Sequence, residues 1–326
     1  MNISVCIPTY NQAQYLESAI RSAANQNLMP FEIIVFDDCS TDNTKEILSI
    51  LSKEIPILKI KHQPDNFGIT KNTDSCLRAA KGDFIVRLDS DDLLGPSYID
   101  TLANLLIKYP NAAYSHAKVQ EIDKCGNFTK ERKLFRKAGF QSDADALKSS
   151  IKGYRVAANI IMFRREALEK VDYLANRPGF AEDFHLACAL ASAGFGNVYH
   201  DDILSSYRVW TDTKRIRQKR KLMEIEGLTR VFEDVIEPAF MGRGWSIKSV
   251  KKNKANLACN QTDCLGWEIY TPEEKKELAD ALLRFSPSLK TKLYMQLHLF
   301  GYANLIHSYS RSISFIKSII KKTILA

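Results

Sequence analysis

ISVCIPTYNQAQYLESAIRSAANQ (residues 3–26), followed by FEIIVFDDCSTDNT (31–44), decides the fold. The first stretch opens on a short apolar run, ISVCIP (3–8), and passes into AQYLESAIRSAANQ (13–26), whose apolar residues fall at helical spacing. The second repeats the pattern, with FEIIVFD (31–37) as a strand and TDNTKEILSILSK (41–53) as a helix that Ser40 or Thr41 can cap. PILKIKH (56–62), GITKNTDSCLRAA (68–80) and DFIVRLD (83–89) continue as strand, helix and strand. Short apolar strands alternating with helices predict βαβ units and an α/β, doubly wound, mostly parallel sheet.

Beyond residue 95 the alternation loosens. SYIDTLANLLIKY (97–109) predicts a helix, and AAYSHAKVQEID (112–123) alternates like an exposed strand. Lys124 to Asn127 mark a turn, and residues 130–155 are polar without clear periodicity. ANIIMF (158–163) predicts a buried strand, EDFHLACALASAG (182–194) a helix closed by Gly194, and NVYHDDILSSYRVW (197–210) a further strand. From about residue 211 the pattern turns helical, in TKRIRQKRKLMEIEGLTRVFEDVIEPAF and PEEKKELADALLRF. Two domains are therefore expected, 1–210 and 211–326, the second a basic helical extension.

Composition narrows the class. Of 326 residues, 45% are hydrophobic and 26% charged, which excludes a disordered chain. The seven cysteines are odd in number and none stands in C-x-x-C spacing, so reduced thiols in the cytoplasm are expected rather than a disulfide scaffold or zinc ribbon. No signal peptide or transmembrane run is expected. Charge is uneven: 25 basic residues face 26 acidic ones in 1–210, but 21 face 12 in 211–326. ISFIKSIIKK (313–322) sets Ile313, Ile316 and Ile320 at helical spacing beside Lys317, Lys321 and Lys322. A basic amphipathic helix of this kind suits either an anionic membrane surface, which would make the chain peripheral on a membrane, or packing on its own domain or a second subunit. No nucleic-acid motif accompanies the charge.

In α/β sheets, ligands bind beyond the C-terminal ends of the parallel strands. Pro8-Thr9-Tyr10-Asn11 follows the first strand, Asp37-Asp38-Cys39-Ser40 the second, and Asp89-Ser90-Asp91-Asp92 the fourth. Five acids at two strand ends require raised pKa values, counter-charges or a bound cation. The D-x-D spacing suits Mg²⁺ or Mn²⁺ completed by substrate phosphates. Asp38 can accept from a base or ribose, Tyr10 can pack on a base, and Asp42 can equally cap a helix. Neither G-x-x-x-x-G-K-[ST] nor G-x-G-x-x-G is present, so glycine-rich phosphate cradles are not expected.

These stations, in this order, resemble a family 2 glycosyltransferase of the GT-A nucleotide-diphospho-sugar transferase fold. The resemblance rests on V-C-I-P-T-Y-N with F-D-D-C-S, on N-F-G-I-T-K-N, on R-L-D-S-D-D and on E-D-F-H-L, and covers roughly residues 3–210. It implies that Pro8, Thr9, Tyr10 and Asp38 bind the nucleotide, that Asp89 meets the ribose, and that Asp91 holds a divalent Mn²⁺ or Mg²⁺. It implies Asp183 as the general base of an inverting transfer, with Glu182 toward the acceptor. Lys71 stands near where many relatives carry a nucleotide-binding Arg. Trp210, in Tyr207-Arg208-Val209-Trp210, replaces a His that approaches the metal in many relatives; His185 and His200 are the nearby alternatives. The Q-x-x-R-W signature of processive relatives is absent, which favours transfer of a single sugar. A nucleotide-sugar donor, with UDP favoured, and a glycan or lipid-linked acceptor in cell-surface polysaccharide synthesis follow as expectations. The alternatives are a catalytically inactive sugar-nucleotide-binding scaffold and a nucleotidyltransferase.

Overall fold

A computed structural model describes residues 1–134, 136–209, 218–302 and 304. The chain divides into two compact units, Met1–Thr213 and Lys214–Ala326. Trp210, the first half of the basic run 214–221 (residues 214–217) and the segment 313–322 lie outside the described residues.

The first unit is one sheet with helices packed on it. In chain order it contains β1 (Ile3–Thr9), α1 (Ala13–Ala24), β2 (Glu32–Asp37), α2 (Thr44–Glu54), β3 (Leu58–His62), α3 (Ile69–Ala79), β4 (Phe84–Arg87), β5 (Leu93–Leu94) and α4 (Tyr98–Lys108). There follow β6 (Ala112–Ile122), β7 (Phe128–Glu131), β8 (Gly139–Gln141), α5 (Asp143–Ser150), β9 (Ile161–Arg164), α6 (Arg165–Lys170), α7 (Glu182–Ser192) and β10 (Gly196–Arg208). The main strand order is β3-β2-β1-β4-β9-β6-β10-β5, with β7 on β6 and β8 on β10. β1, β2, β3 and β4 are parallel, and β10 runs parallel to β6. β9 is inserted antiparallel between β4 and β6, so β6 and β10 point the same way as β4.

Burial explains the apolar runs. Every residue of β1, β2 and β4 is buried, as expected for strands covered on both faces. α1 buries Tyr15, Leu16, Ala19, Ile20 and Ala23, one helical stripe laid against the sheet. The chain leaves β1 toward β2 and β3, then returns to place β4 on the other side of β1. The crevice beyond the C-terminal ends of β1 and β4 is therefore a topological switch point.

Two expectations need correction. Residues 112–123 do not form an exposed strand: β6 lies inside the sheet and is mostly buried. Its polar residues find partners there. Ser115 Oγ donates to Leu102 O (3.1 Å), and the His116 ring stacks on Tyr199 with centroids 5.1 Å apart. Burial, with the nearby Arg136 charge, holds His116 well below the usual imidazole pKa, so it stays neutral. The polar segment 130–155 is not featureless. It carries the end of β7, then β8, and then α5, where Ser142 Oγ caps the helix by accepting from Asp145 N.

The second unit is helical: α8 (Lys221–Arg230), a π-helical turn Val231–Ile236, α9 (Glu237–Gly242), α10 (Lys248–Gln261), a 3₁₀ turn Thr262–Gly266, α11 (Pro272–Phe285) and α12 (Leu289–Leu299). Phe232 and Phe285 meet edge to face at 5.5 Å in its core. Thr271 and Glu274 form a capping box at the start of α11. Lys254, itself buried, donates to Glu233 and Glu237.

The approach to β4 is close-packed around a small polar network. Glu32 accepts from Ser4 Oγ (2.6 Å), Lys59 Nζ (2.6 Å) and Lys81 N (2.8 Å), while Ser4 Oγ accepts from Gly82 N (2.8 Å). A Cβ on Gly82 would stand 2.6 Å from Ser4 N and 2.9 Å from Asn2 O, both backbone atoms. Gly82→Ala should therefore destabilise the chain by about 1–3 kcal/mol, the range for overpacking. A urea unfolding curve checks this, and an unchanged midpoint would contradict it.

Candidate active site

The neighbouring ends of β2, β1 and β4 bring three sequence stations to one edge of the sheet. At the β1 station Pro8 and Thr9 are buried, and Thr9 Oγ1 has no hydrogen-bond partner. Tyr10 is exposed, its ring available to a ligand. Asn11 adopts φ +50° and binds the neighbouring station: its N donates to Ser40 Oγ, and its Oδ1 accepts from Thr41 N.

The acids of the β2 station have distinct tasks. Asp37 is fully buried, accepting from Ser40 N and pairing with His62 Nδ1 at 2.8 Å. Asp38 N donates to Thr9 O, and both Asp38 carboxylate oxygens accept backbone amides, from Phe67 (2.9 Å) and Gly68 (2.8 Å). Asp38 thus anchors the N-F-G loop that leads into α3, where Gly68 at φ +83° makes the turn. Any nucleotide it meets must share a carboxylate already holding that loop. Lys71, in the first turn of α3, is exposed. Asp42 is a capping residue: its oxygens accept from Ala13 N, Thr44 N and Thr44 Oγ1.

The β4 station is organised by Arg87, a residue that sequence reasoning passed over. Arg87 is 3% exposed, yet it belongs to a strand with no other charge. Its Nε donates to Asp89 Oδ1 (3.1 Å), and its Nη1 lies 3.5 Å from Glu182 Oε1. Burial works against its charge, but Asp89, Glu182 and Asp183 outweigh burial and raise its pKa above the usual guanidinium value. One cation thus joins the D-x-D loop to the first turn of α7.

Glu182 and Asp183 open α7, where the helix dipole favours negative charge. Ala181 ahead of them is left-handed, at φ +63°. Asp183 Oδ1 accepts from Phe184 N (2.8 Å). Burial, then the adjacent Asp183 charge, pushes Glu182 up to about 7, while Arg87 pulls it back. Burial also raises Asp183, against Arg87. The pair therefore holds its protons far more tightly than exposed carboxylates.

Arg208, near the end of β10, straps the D-x-D loop down. Its N donates to Asp92 Oδ1 (2.8 Å), its Nε to Asp91 O (2.8 Å) and its Nη1 to Asp123 O (2.9 Å). Its guanidinium lies 4.3 Å from the Tyr15 ring centroid. Asp92 is fully buried; burial and then the Asp91 and Asp89 charges raise its pKa well above the carboxylate range. Asp92 is accordingly a structural acid, while Asp89 and Asp91 remain partly exposed.

Among the described residues no three His, Cys, Asp or Glu side chains gather into a closed metal cage. Mg²⁺-type sites ordinarily use one or two carboxylates and complete their shell with water and substrate phosphates. The partly exposed Asp89 and Asp91 are hard oxygen donors that fit such an open site. The histidines considered for it are engaged elsewhere. His185 Nδ1 contacts Arg177 Nη1 at 2.7 Å, and His200 Nε2 pairs with Asp202 at 3.0 Å.

Glycosyl transferase family 2 matches residues 4–172, and the chain belongs to that family. It is 32% identical over 170 residues to the GalNAc(5)-diNAcBac-PP-undecaprenol β-1,3-glucosyltransferase of Campylobacter jejuni, covering 51% of this chain and 53% of that one. It is 36% identical over 106 residues to the chondroitin synthase of Pasteurella multocida, covering 32% of this chain and 11% of that one. The chain thus spans only about half, or far less, of these curated relatives. In fold it is similar to S. aureus TarS 1-349 solved in complex with UDP, with TM-score 0.57 and 18% identity over 93% of this chain and 92% of that one. It is also similar to the mannosyltransferase PcManGT from Pyrobaculum calidifontis, solved with GDP-Man and Mn²⁺, at TM-score 0.53 and 21% identity, covering 93% and 86%. The fold is the GT-A fold.

A raised carboxyl pKa means that the folded chain binds the proton more tightly than the unfolded one, so stability falls as pH rises toward the folded value. Arg87 relieves that penalty. Arg87→Gln should cost about 3–5 kcal/mol near pH 8, the range for stripping one partner from a buried ion pair. The loss should be clearly smaller at about pH 5, where Glu182 and Asp183 can carry protons. Urea midpoints at both pH values check this; equal losses would contradict it.

Proposed function

We propose that this protein transfers one sugar from a nucleotide-diphospho-sugar, UDP-linked in preference, to a hydroxyl of a glycan or lipid-linked acceptor in polysaccharide synthesis, with inversion at the anomeric carbon. The observation that carries this reading is the Arg87 bridge, which sets the D-x-D loop and the Glu182-Asp183 pair in one site at the sheet's switch point. Solved relatives in complex with UDP, UDP-GlcNAc and GDP-Man support a nucleotide-sugar donor.

The chemistry follows from the residues. The donor base packs beside Tyr10 and the Pro8-Thr9 turn, with Asp38, Asp89 and Lys71 around the nucleotide. Asp91, assisted by Asp89, would hold the divalent cation. That cation supplies Lewis-acid charge to the departing diphosphate. Asp183 accepts the acceptor hydroxyl's proton as the new C1–O bond forms and the C1–O–phosphate bond breaks. The nucleoside diphosphate leaves carrying the bond's electron pair. A single base opposite the leaving group requires inversion. Glu182, tied to Arg87, orients the acceptor side of the same centre. Family membership favours release of nucleoside diphosphate over the pyrophosphate that a nucleotidyltransferase would release.

Two results test this reading. Asp183→Asn should lower the transfer rate by about 10²–10⁴-fold while leaving UDP affinity unchanged. Transfer that survives this substitution would remove Asp183 from the role. The rate should also fall as the medium becomes more acidic, at a pH above the ordinary carboxylate range, because burial raises the pKa of Asp183. A profile flat down to about pH 5 would contradict a base in this environment.

A further inference from the structure

A cleft of about 740 Å³ opens in the first unit between Glu121 with residues 130–134 and the segment Tyr154–Ala157. Its charges are only partly compensated. Glu121 pairs with both Arg132 (2.7 Å) and Lys130 (3.4 Å), and Glu131 pairs with Lys118 (2.8 Å). Arg132 is further fixed, donating from Nη1 to Ala157 O and lying 4.0 Å over the Tyr207 ring. Lys133 and Arg155 complete the basic lining, and neither has a hydrogen bond or ion pair with any described residue. Arg155 is partly buried. A guanidinium held partly out of water without a counter-charge is costly unless a ligand supplies one.

One wall of the cleft packs on the residue that follows the acid pair. Tyr154 lines the cleft, and its ring lies 5.5 Å from that of Phe184, the residue after Asp183. Its hydroxyl is buried without a hydrogen-bond partner. Burial, then the Asp183 charge, raises the Tyr154 pKa, so the hydroxyl stays protonated as a donor. Through Tyr154 the cleft thus borders the residue beside Asp183, while Lys133 and Arg155 line it without an ion-pair partner among the described residues.

We propose that this cleft is the acceptor site and that it selects an acceptor bearing an anionic group, phosphate or carboxylate, which Arg155 and Lys133 hold while a neighbouring hydroxyl is presented to Asp183. The inference rests on Asp183 being the base. Guanidinium matches either anion through paired hydrogen bonds, and lysine adds a mobile point charge. Lys130 and Arg132, balanced by Glu121, shape the wall without adding much net charge.

The test uses the full chain saturated with UDP and Mn²⁺ and titrates three probes by calorimetry: a glycerol-phosphate hexamer, tetragalacturonate and maltotetraose. At least one charged oligomer should bind about tenfold or more tightly than maltotetraose, and the stronger of the two names phosphate or carboxylate as the selected anion. In the double variant Arg155→Gln, Lys133→Gln that advantage should fall about tenfold, with UDP affinity unchanged, which also shows the variant folded. Equal binding of all three probes, absence of binding by both charged ones, or a double variant that keeps the preference would overturn the proposal. Failure of UDP itself to bind would strike the donor reading on which it rests, and is read before any acceptor is added.

Discussion

A single guanidinium in a nearly dry strand sets the constraints that the rest of the site obeys. Arg87 is buried at the end of β4 and needs anions within reach. It finds one two residues ahead, in Asp89, and others on α7, in Glu182 and Asp183. Those acids in turn need Arg87, because burial has already lifted their pKa values. Neither side is stable in place alone, and so the end of β4 and the start of α7 are held together across nearly a hundred residues of chain. The inserted antiparallel strand β9 fills the sheet beside β4, and α7 buries Leu186 and Leu190 in one cluster with Cys6 of β1 and Ile85 of β4, its first turn meeting Arg87.

The acids around these strand ends divide by burial. Asp37, Asp42 and Asp92 hold loops and helix starts in place, each through backbone amides. Asp38 does the same for the loop before α3, from just beyond the end of β2. Asp89, Asp91, Glu182 and Asp183 are only partly covered and can meet a ligand. Arg208 supports this division: it holds the D-x-D loop by backbone groups and by Asp92, not by the Asp89 or Asp91 carboxylates that could serve chemistry. Preorganisation of this kind matters because a site that stabilises developing charge works best when its dipoles need not move during the reaction.

Much of this was legible in the sequence, for physical reasons. Strands covered on both faces are mostly apolar, so β1, β2 and β4 read as runs, and the helices between them show their buried stripe. Ligand stations had to follow those strands, which located Thr9, Asp38 and Asp89. What stayed hidden was compensated internally. Arg87 sits inside D-F-I-V-R-L-D and reads as a blemish in an apolar run; a lone charge in a buried strand just before paired acids was the available signal. β6 looked exposed because its Ser115 and His116 are polar, but a hydrogen bond and a stacked ring let them stay inside. The segment 130–155 lacked periodicity because β7 and β8 are short and largely uncovered. Its contribution to a cleft depends on contacts made at long range.

The most direct test of the account is a calorimetric titration of the folded chain with UDP, GDP, dTDP and CDP, with and without Mn²⁺, in parallel with Asp91→Ala. The account predicts saturable binding with preference for UDP, strengthened by Mn²⁺, and loss of that strengthening in the variant. A folded protein that binds none of the four nucleotides, or binds UDP equally well with and without Asp91 and the metal, would contradict a donor site built on the ends of these strands.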